Sequence, residues 1–163
     1  MKGKLISGLA MLTALSVVGA MIKIPAIIGS VALDAFPALL AAVLFGAGPG
    51  ALVGAFGHLL SALIGGFPLG PMHFLIAVEM AVLIWVFGRL YKNKKIIASV
   101  VFIIGNSFVA PLPFIFLMNT GFYLGIVPSL LIGSIINTVI AVVTIPRLSS
   151  LVKQGLPNRD VKQ

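Results

Sequence analysis

The sequence predicts an all-α integral membrane protein of six helices, and three observations predict it. Of 163 residues, 60% are hydrophobic and only 9% charged, with a mean hydropathy of +1.22. A soluble domain carries about 25% charged residues, so this chain lacks the polar groups to cover a water-facing surface. Second, apolar runs of spanning length alternate with Gly/Pro-rich breaks. Third, the basic residues fall in clusters that alternate along the chain, as loops on one side of a bilayer do.

The elements follow in order. Leu5–Met21 reads as a first span, because about 20 helical residues cross a hydrocarbon core of roughly 30 Å. A Lys-Gly-Lys start before an apolar run mimics a signal peptide, but no Ala-x-Ala site follows, so a retained helix is expected. Residues 36–45 form a short second span, closed by the turn signal Gly46-Ala47-Gly48-Pro49-Gly50 before a third span at 50–64. The run from Gly65 to Pro71 separates that from Met72–Tyr91. Trp85, on the inner half of that fourth span, is expected to pack inside. The fifth span covers Lys95–Met118, with Pro111 and Pro113 expected to kink it or end its regular part early. A break at Asn119–Phe122 precedes the sixth span, Val127–Leu151. The length allows one integral-membrane domain, 1–163.

Charge sets an expected orientation. Lys2 and Lys4 precede span one, Arg89, Lys92, Lys94 and Lys95 fill the joint between spans four and five, and Arg147, Lys153, Arg159 and Lys162 close span six. Six crossings place all three clusters on one face and leave Lys23 on the other. The positive-inside rule makes that face cytoplasmic, with both termini there, in a cell membrane. The net charge of +8 is thereby assigned to anionic lipid headgroups, and no nucleic-acid partner is required. The absence of cysteine removes disulfides, Cys-based metal sites and Cys nucleophiles.

Few polar side chains remain. His58 lies about 9 Å from the outer end of span three, at 1.5 Å per residue. His73 stands at the outer mouth of span four and Glu79 about 10 Å below it. Asp34 precedes span two and Asn119 follows span five on the outer side, while Asn106 and Asn137 fall nearer mid-depth. Sparse polar groups converging between apolar helices describe a small-molecule pocket. The plainer alternatives are a protonated Glu79 bonded to a neighbouring helix, histidines donating to carbonyls, and Asp34 as an N-cap of the second helix. Asn106 and Asn137 fit helix–helix hydrogen bonding. His73 and Glu79 stand roughly 120° apart around the helix, which disfavours a metal pair, and no metal or cofactor is expected. No Gly-x-Ser-x-Gly elbow, phosphate-binding loop or carboxylate cluster is present, so nothing in the chain powers transport or catalysis.

On the first helix, Gly3, Ser7, Ala10 and Ala14 form a small-residue stripe, with Ala10 and Ala14 making an Ala-x-x-x-Ala motif that lets another helix approach closely. Gly8, Ser16 and Gly19 offer a second set, so one face can pack inward and the other meet a partner.

These features resemble the S-components of energy-coupling factor (ECF) vitamin transporters. "MIKIPAIIGSVALDAFPALLAA", "GHLLSALIGGFPLGPMHFLIAVEMA" and "GNSFVAPLPF" are similar to the S-components assigned to α-ribazole, a precursor of the cobalamin lower ligand. The resemblance implies a substrate-binding subunit, not an enzyme, that associates with a membrane T-component and two cytoplasmic ATPases. It implies that Ala10 and Ala14 meet the T-component, that Ile22–Ala35 acts as a lid, and that the loops at Gly65–Pro71 and Asn119–Gly125 close the pocket. Asp34, His58, His73, Glu79, Asn106 and Asn119 would then pair with ribose hydroxyls or the ring nitrogen. Phe67, Phe74, Phe114 and Met118 would pack on the base. Another vitamin, such as cobalamin or a thiamine precursor, suits the same residues. On the residues alone, a small membrane enzyme using His58, His73 and Glu79, or an assembly subunit with purely structural polar groups, stays open.

Overall fold

A computed structural model describes residues 2–25 and 30–155. Arg159 and Lys162, part of the charge argument, lie outside the described residues, as does the 26–29 portion of the expected lid. In chain order the elements are α1 (Lys2–Met21), β1 (Lys23–Pro25), β2 (Ser30–Ala32), α2 (Phe36–Leu44), α3 (Ala47–Ile64), α4 (Met72–Tyr91), α5 (Lys95–Ile104), a π-helical turn (Gly105–Val109), α6 (Pro113–Leu117) and α7 (Thr120–Gly155). Four segments, Ala47–Ile64, Met72–Tyr91, Lys95–Leu117 and Thr120–Ser150, are long and apolar enough to cross a membrane, and Leu5–Met21 is a shorter apolar helix.

Three boundaries differ from expectation. The lid segment contains a hairpin, β1 antiparallel to β2 with Lys23 opposite Ala32 and Pro25 opposite Ser30. Its three-residue strands are too short for period-two patterning to betray them. The turn into α3 is narrower than Gly46–Gly50: Gly46, at φ 113, makes the bend alone, and Ala47, Gly48 and Pro49 already belong to the first turn. Proline suits that turn because its missing N–H has no intrahelical partner there. Finally, Asn119–Gly125 is not a loop. The Asn119 side chain accepts from the Phe122 amide at 2.8 Å, and this cap starts α7 at Thr120, with Pro128 inside the helix.

The expected proline disruption is present. Ala110 N–H donates to Gly105 O at 2.8 Å, five residues back, and Leu112, Phe114 and Ile115 donate three residues back. Pro111 and Pro113 supply no amide, so the ladder widens and then tightens around them.

The core is built around α2. Ala38, Leu39, Leu40 and Ala41 are at most 1% exposed, and the helix packs against α1, α3, α4 and α7. Close approach is required: a Cβ on Gly50 would overlap Ala42 Cα. At nine residues, α2 is about 13 Å long, less than half the hydrocarbon thickness. The outer surface inverts that of a soluble protein, with Phe116 90% and Ile96 80% exposed, and Phe56, Phe74 and Val78 also turned outward. Trp85 joins them, capped by Arg89 at 5.0 Å, rather than packing inside as its depth suggested.

Candidate functional site

The Gly65–Pro71 loop and the histidines form one cluster. Gly66 (φ 83), Phe67 (φ 51) and Gly70 (φ 55) take left-handed backbone conformations. For Phe67 that conformation is strained. It is held by Phe67 N–H donating to Ala62 O at 2.8 Å and Gly70 N–H donating to Phe67 O at 2.8 Å. The Leu69 amide donates to His73 Nε2 at 3.3 Å, and His73 Nδ1 lies 3.1 Å from His58 Nε2. Assigned from this network, neutral His73 carries its proton on Nδ1 and donates to His58. Phe67 meets His73 edge-on at 5.1 Å and lies 6.2 Å from Phe74. His73, in the first turn of α4, is buried by these contacts. Phe74, 60% exposed, faces outward.

Glu79 is half-buried on another flank of α4. One turn further, Leu83 packs where a Cβ on Gly105 would stand 2.5 Å from Leu83 Cδ2, so this flank faces the π-helical turn. That turn delivers two polar side chains to α7: Asn106 Nδ2 donates to Ser134 Oγ at 2.8 Å, and Ser107 Oγ donates to the same oxygen at 3.3 Å. Sequence reasoning missed Ser107 and Ser134, whose hydroxyls are common on membrane helices and carry no spacing signal. It also missed Ser129 and Thr138, whose buried hydroxyls have no hydrogen-bond partner among the described residues.

The β2–α2 turn carries Asp34. Asp34 does not cap α2. The cap position is Ala35, and the capping oxygen comes from α7. Asn137 Oδ1 accepts from the amides of Ala35 at 3.1 Å and Phe36 at 2.8 Å. Its Nδ2 donates to Ala32 O at 3.0 Å and Gly133 O at 2.9 Å. Asn137 thus joins α7 to the first residue of α2, the expected helix–helix bond, and to the turn before it as well. The same bonds set the turn that carries Asp34 beside Asn137 of α7. Burial raises the Asp34 carboxyl from its ordinary 3.8 to about 6, opposed by the backbone amides of Asp34 and Ala35.

The remaining expected site residues lie near the start of α7. Phe114 is buried against Phe122 at 5.9 Å. Met118 is 42% exposed, and Asn119 is exposed and engaged as the α7 cap. Tyr123, unremarked in the sequence, donates from its hydroxyl to Phe108 O at 3.1 Å.

The two faces of α1 separate as the spacing allowed. Leu12 and Ser16 are buried, a Cβ on Gly57 would stand 2.8 Å from Ser16 Cβ, and Gly8 lies under the Phe45 ring. Ala10 and Ala14 face outward and line an open groove with Thr13, Phe56 and Leu60.

Fold and site together define a multi-pass membrane protein whose sparse polar groups are gathered between helices with a lipid-facing exterior. Residues 4–154 match the family described as "ECF transporter, substrate-specific component", and the chain belongs to that family. Its fold is similar to a solved structure of the S component of a bacterial ECF transporter, with a TM-score of 0.70 and 26% identity over 94% of this chain and 99% of that one. Among curated proteins, no match is found.

Proposed function

We propose that this chain is the substrate-binding subunit of an ECF-type importer for a vitamin or vitamin precursor, with α-ribazole as the ligand. The observation that carries the reading is the family match across residues 4–154. α-Ribazole is a neutral aromatic base on a ribose. Asp34, Glu79, His58, His73, Asn106 and Asn119 supply donors and acceptors for its hydroxyls and ring nitrogen, and Phe67, Phe114 and Met118 supply apolar walls; Phe74, turned outward, is left out of that lining. The subunit acts with a T-component and two cytoplasmic ATPases, meeting the T-component along the outward Ala10–Ala14 stripe.

The same reading gives one integral-membrane domain with six crossings and both termini cytoplasmic. The nine-residue α2 makes the second crossing from inside the bundle, where the helices around it supply the depth that its own length does not. The basic groups at the α4–α5 joint and along the end of α7 support this orientation.

Calorimetry of the purified protein in nanodiscs against a vitamin panel tests the ligand. α-Ribazole should bind tighter than about 1 μM, a gain of about 8 kcal/mol. Saturation by another vitamin alone reassigns the ligand, and a folded protein that binds none of the panel overturns the reading. Ala14→Trp should bind ligand normally yet stop uptake in cells, because the added ring fills the groove a partner helix needs.

A further inference from the structure

Asn137 uses all of its side-chain hydrogen-bonding capacity. A neutral amide offers two acceptor positions and two donors, and all four are filled: Ala35 and Phe36 amides on Oδ1, Ala32 and Gly133 carbonyls on Nδ2. Three of those partners belong to one short turn, Ala32 to Phe36, 101 to 105 residues away in sequence. Asn137 is only 3% exposed, and its bonds to Ala35 and Gly133 are fully buried while those to Phe36 and Ala32 are partly so.

The turn is tied from the opposite side as well. Leu33 N–H donates to Gly19 O of α1 at 3.1 Å. A Cβ on Gly19 would overlap Leu33 O, so only glycine permits this crossing. The backbone at Ala32, Leu33, Ala35 and Phe36 is thus held by α1 and α7. Among the described residues of the turn, Asp34 alone is not bonded to either helix through its backbone, and it carries the turn's only ionisable side chain. Its Cα is fixed by its neighbours on both sides.

We propose that Asn137 is a positioning residue: with Gly19 it clamps the β2–α2 turn so that the Asp34 carboxyl is held at a set point for substrate. The role for substrate rests on the proposed function; the clamp itself does not.

The chain has no cysteine, so Leu33→Cys places a single reporter thiol in the turn. In nanodiscs, Asn137→Ser and Gly19→Ala, each built on the Leu33→Cys background, should raise the maleimide labelling rate of that thiol at least about tenfold, through loss of buried hydrogen bonds that resist opening. Thr138→Val, on the same helix but without bonds to the turn, should label as the Leu33→Cys parent does. Infrared titration should show the Asp34 carboxyl moving toward its ordinary range in Asn137→Ser. Unchanged labelling in both clamp variants, or an unmoved Asp34 titration, overturns the proposal. If Asn137→Ser does not fold, Gly19→Ala carries both readouts. With α-ribazole as probe, Asn137→Ser and Asp34→Asn should each weaken binding about 5- to 150-fold, and the double variant little further. Full additivity contradicts positioning through Asp34. If the parent does not bind α-ribazole while the labelling and titration results hold, the ligand assignment fails and the clamp stands.

Discussion

The two polar centres of the bundle are built on opposite plans. At the α3–α4 end, His58 and His73 satisfy one another and a loop four residues away, so every partner lies within 15 residues. At the β2–α2 turn, a single asparagine reaches across the fold to hold backbone 101 to 105 residues distant. The first arrangement stabilises a strained loop locally. The second ties the start of α2, the centre of the core, to α7. A perturbation of the histidine cluster should therefore stay near the Gly65–Pro71 loop, while one at the turn should reach the whole bundle.

Glycine substitutions are the strongest way to break this contrast. Gly19→Val adds atoms where Leu33 O already sits. It should destabilise by about 3 kcal/mol or more, or abolish monodisperse expression in size-exclusion chromatography. Gly66→Ala, at φ 83 with open space around it, should cost only about 1–2 kcal/mol in thermal melts. Equal effects would erase the distinction.

A step below Gly19→Val stands His73→Ala. It leaves the Leu69 amide unpaired and a cavity beside Phe67, and should cost about 2–3 kcal/mol by thermal denaturation. Hydrogen exchange should locate the loosening in residues 65–71 and spare the β2–α2 turn. Loosening at Ala32–Phe36 instead would join the two centres into one network.

The turn at Asp34 should also respond to pH. A carboxyl raised from 3.8 to about 6 binds its proton more tightly in the folded protein. The stability this confers is complete below about pH 3.8 and is lost as pH rises through about 6. The melting temperature should decline across that window, and Asp34→Asn should flatten the decline. A parent whose melting temperature stays flat across the same window would show that Asp34 is not buried.

The smallest effect belongs to the hydroxyls that no described group satisfies. Thr138→Val should be neutral or stabilise by up to about 1 kcal/mol, since it removes a buried polar atom without a partner. Clear destabilisation in the melt would reveal a bonded water or ligand group there.

Local features are legible in the sequence and long-range ones are not. Hydropathy and Gly/Pro punctuation place α4 at both ends and α3 at its C-terminal end, because those signals act over a few positions, while the start of α3 comes three residues before the expected Gly50. The same local reading sets α7 to begin at Val127, since the polar cap of Asn119 and the glycines after it look like a loop until the side chain is seen accepting from Phe122. The pairing of His58 with His73 brings two expected site residues together, yet their tautomers follow from the Leu69 amide, which no residue type announces. Asn137 stands out in the sequence as an isolated polar group in an apolar helix. Its partners are backbone atoms on a distant turn, and backbone atoms are invisible to sequence pattern.

The direct test of the account is calorimetric titration of the purified chain in nanodiscs with α-ribazole, run beside Asp34→Asn and Glu79→Gln. The parent should bind saturably, tighter than about 1 μM, and each variant about 5- to 150-fold more weakly. Folded, monodisperse parent protein that gives no binding heat and no thermal shift with α-ribazole or any other vitamin would contradict it.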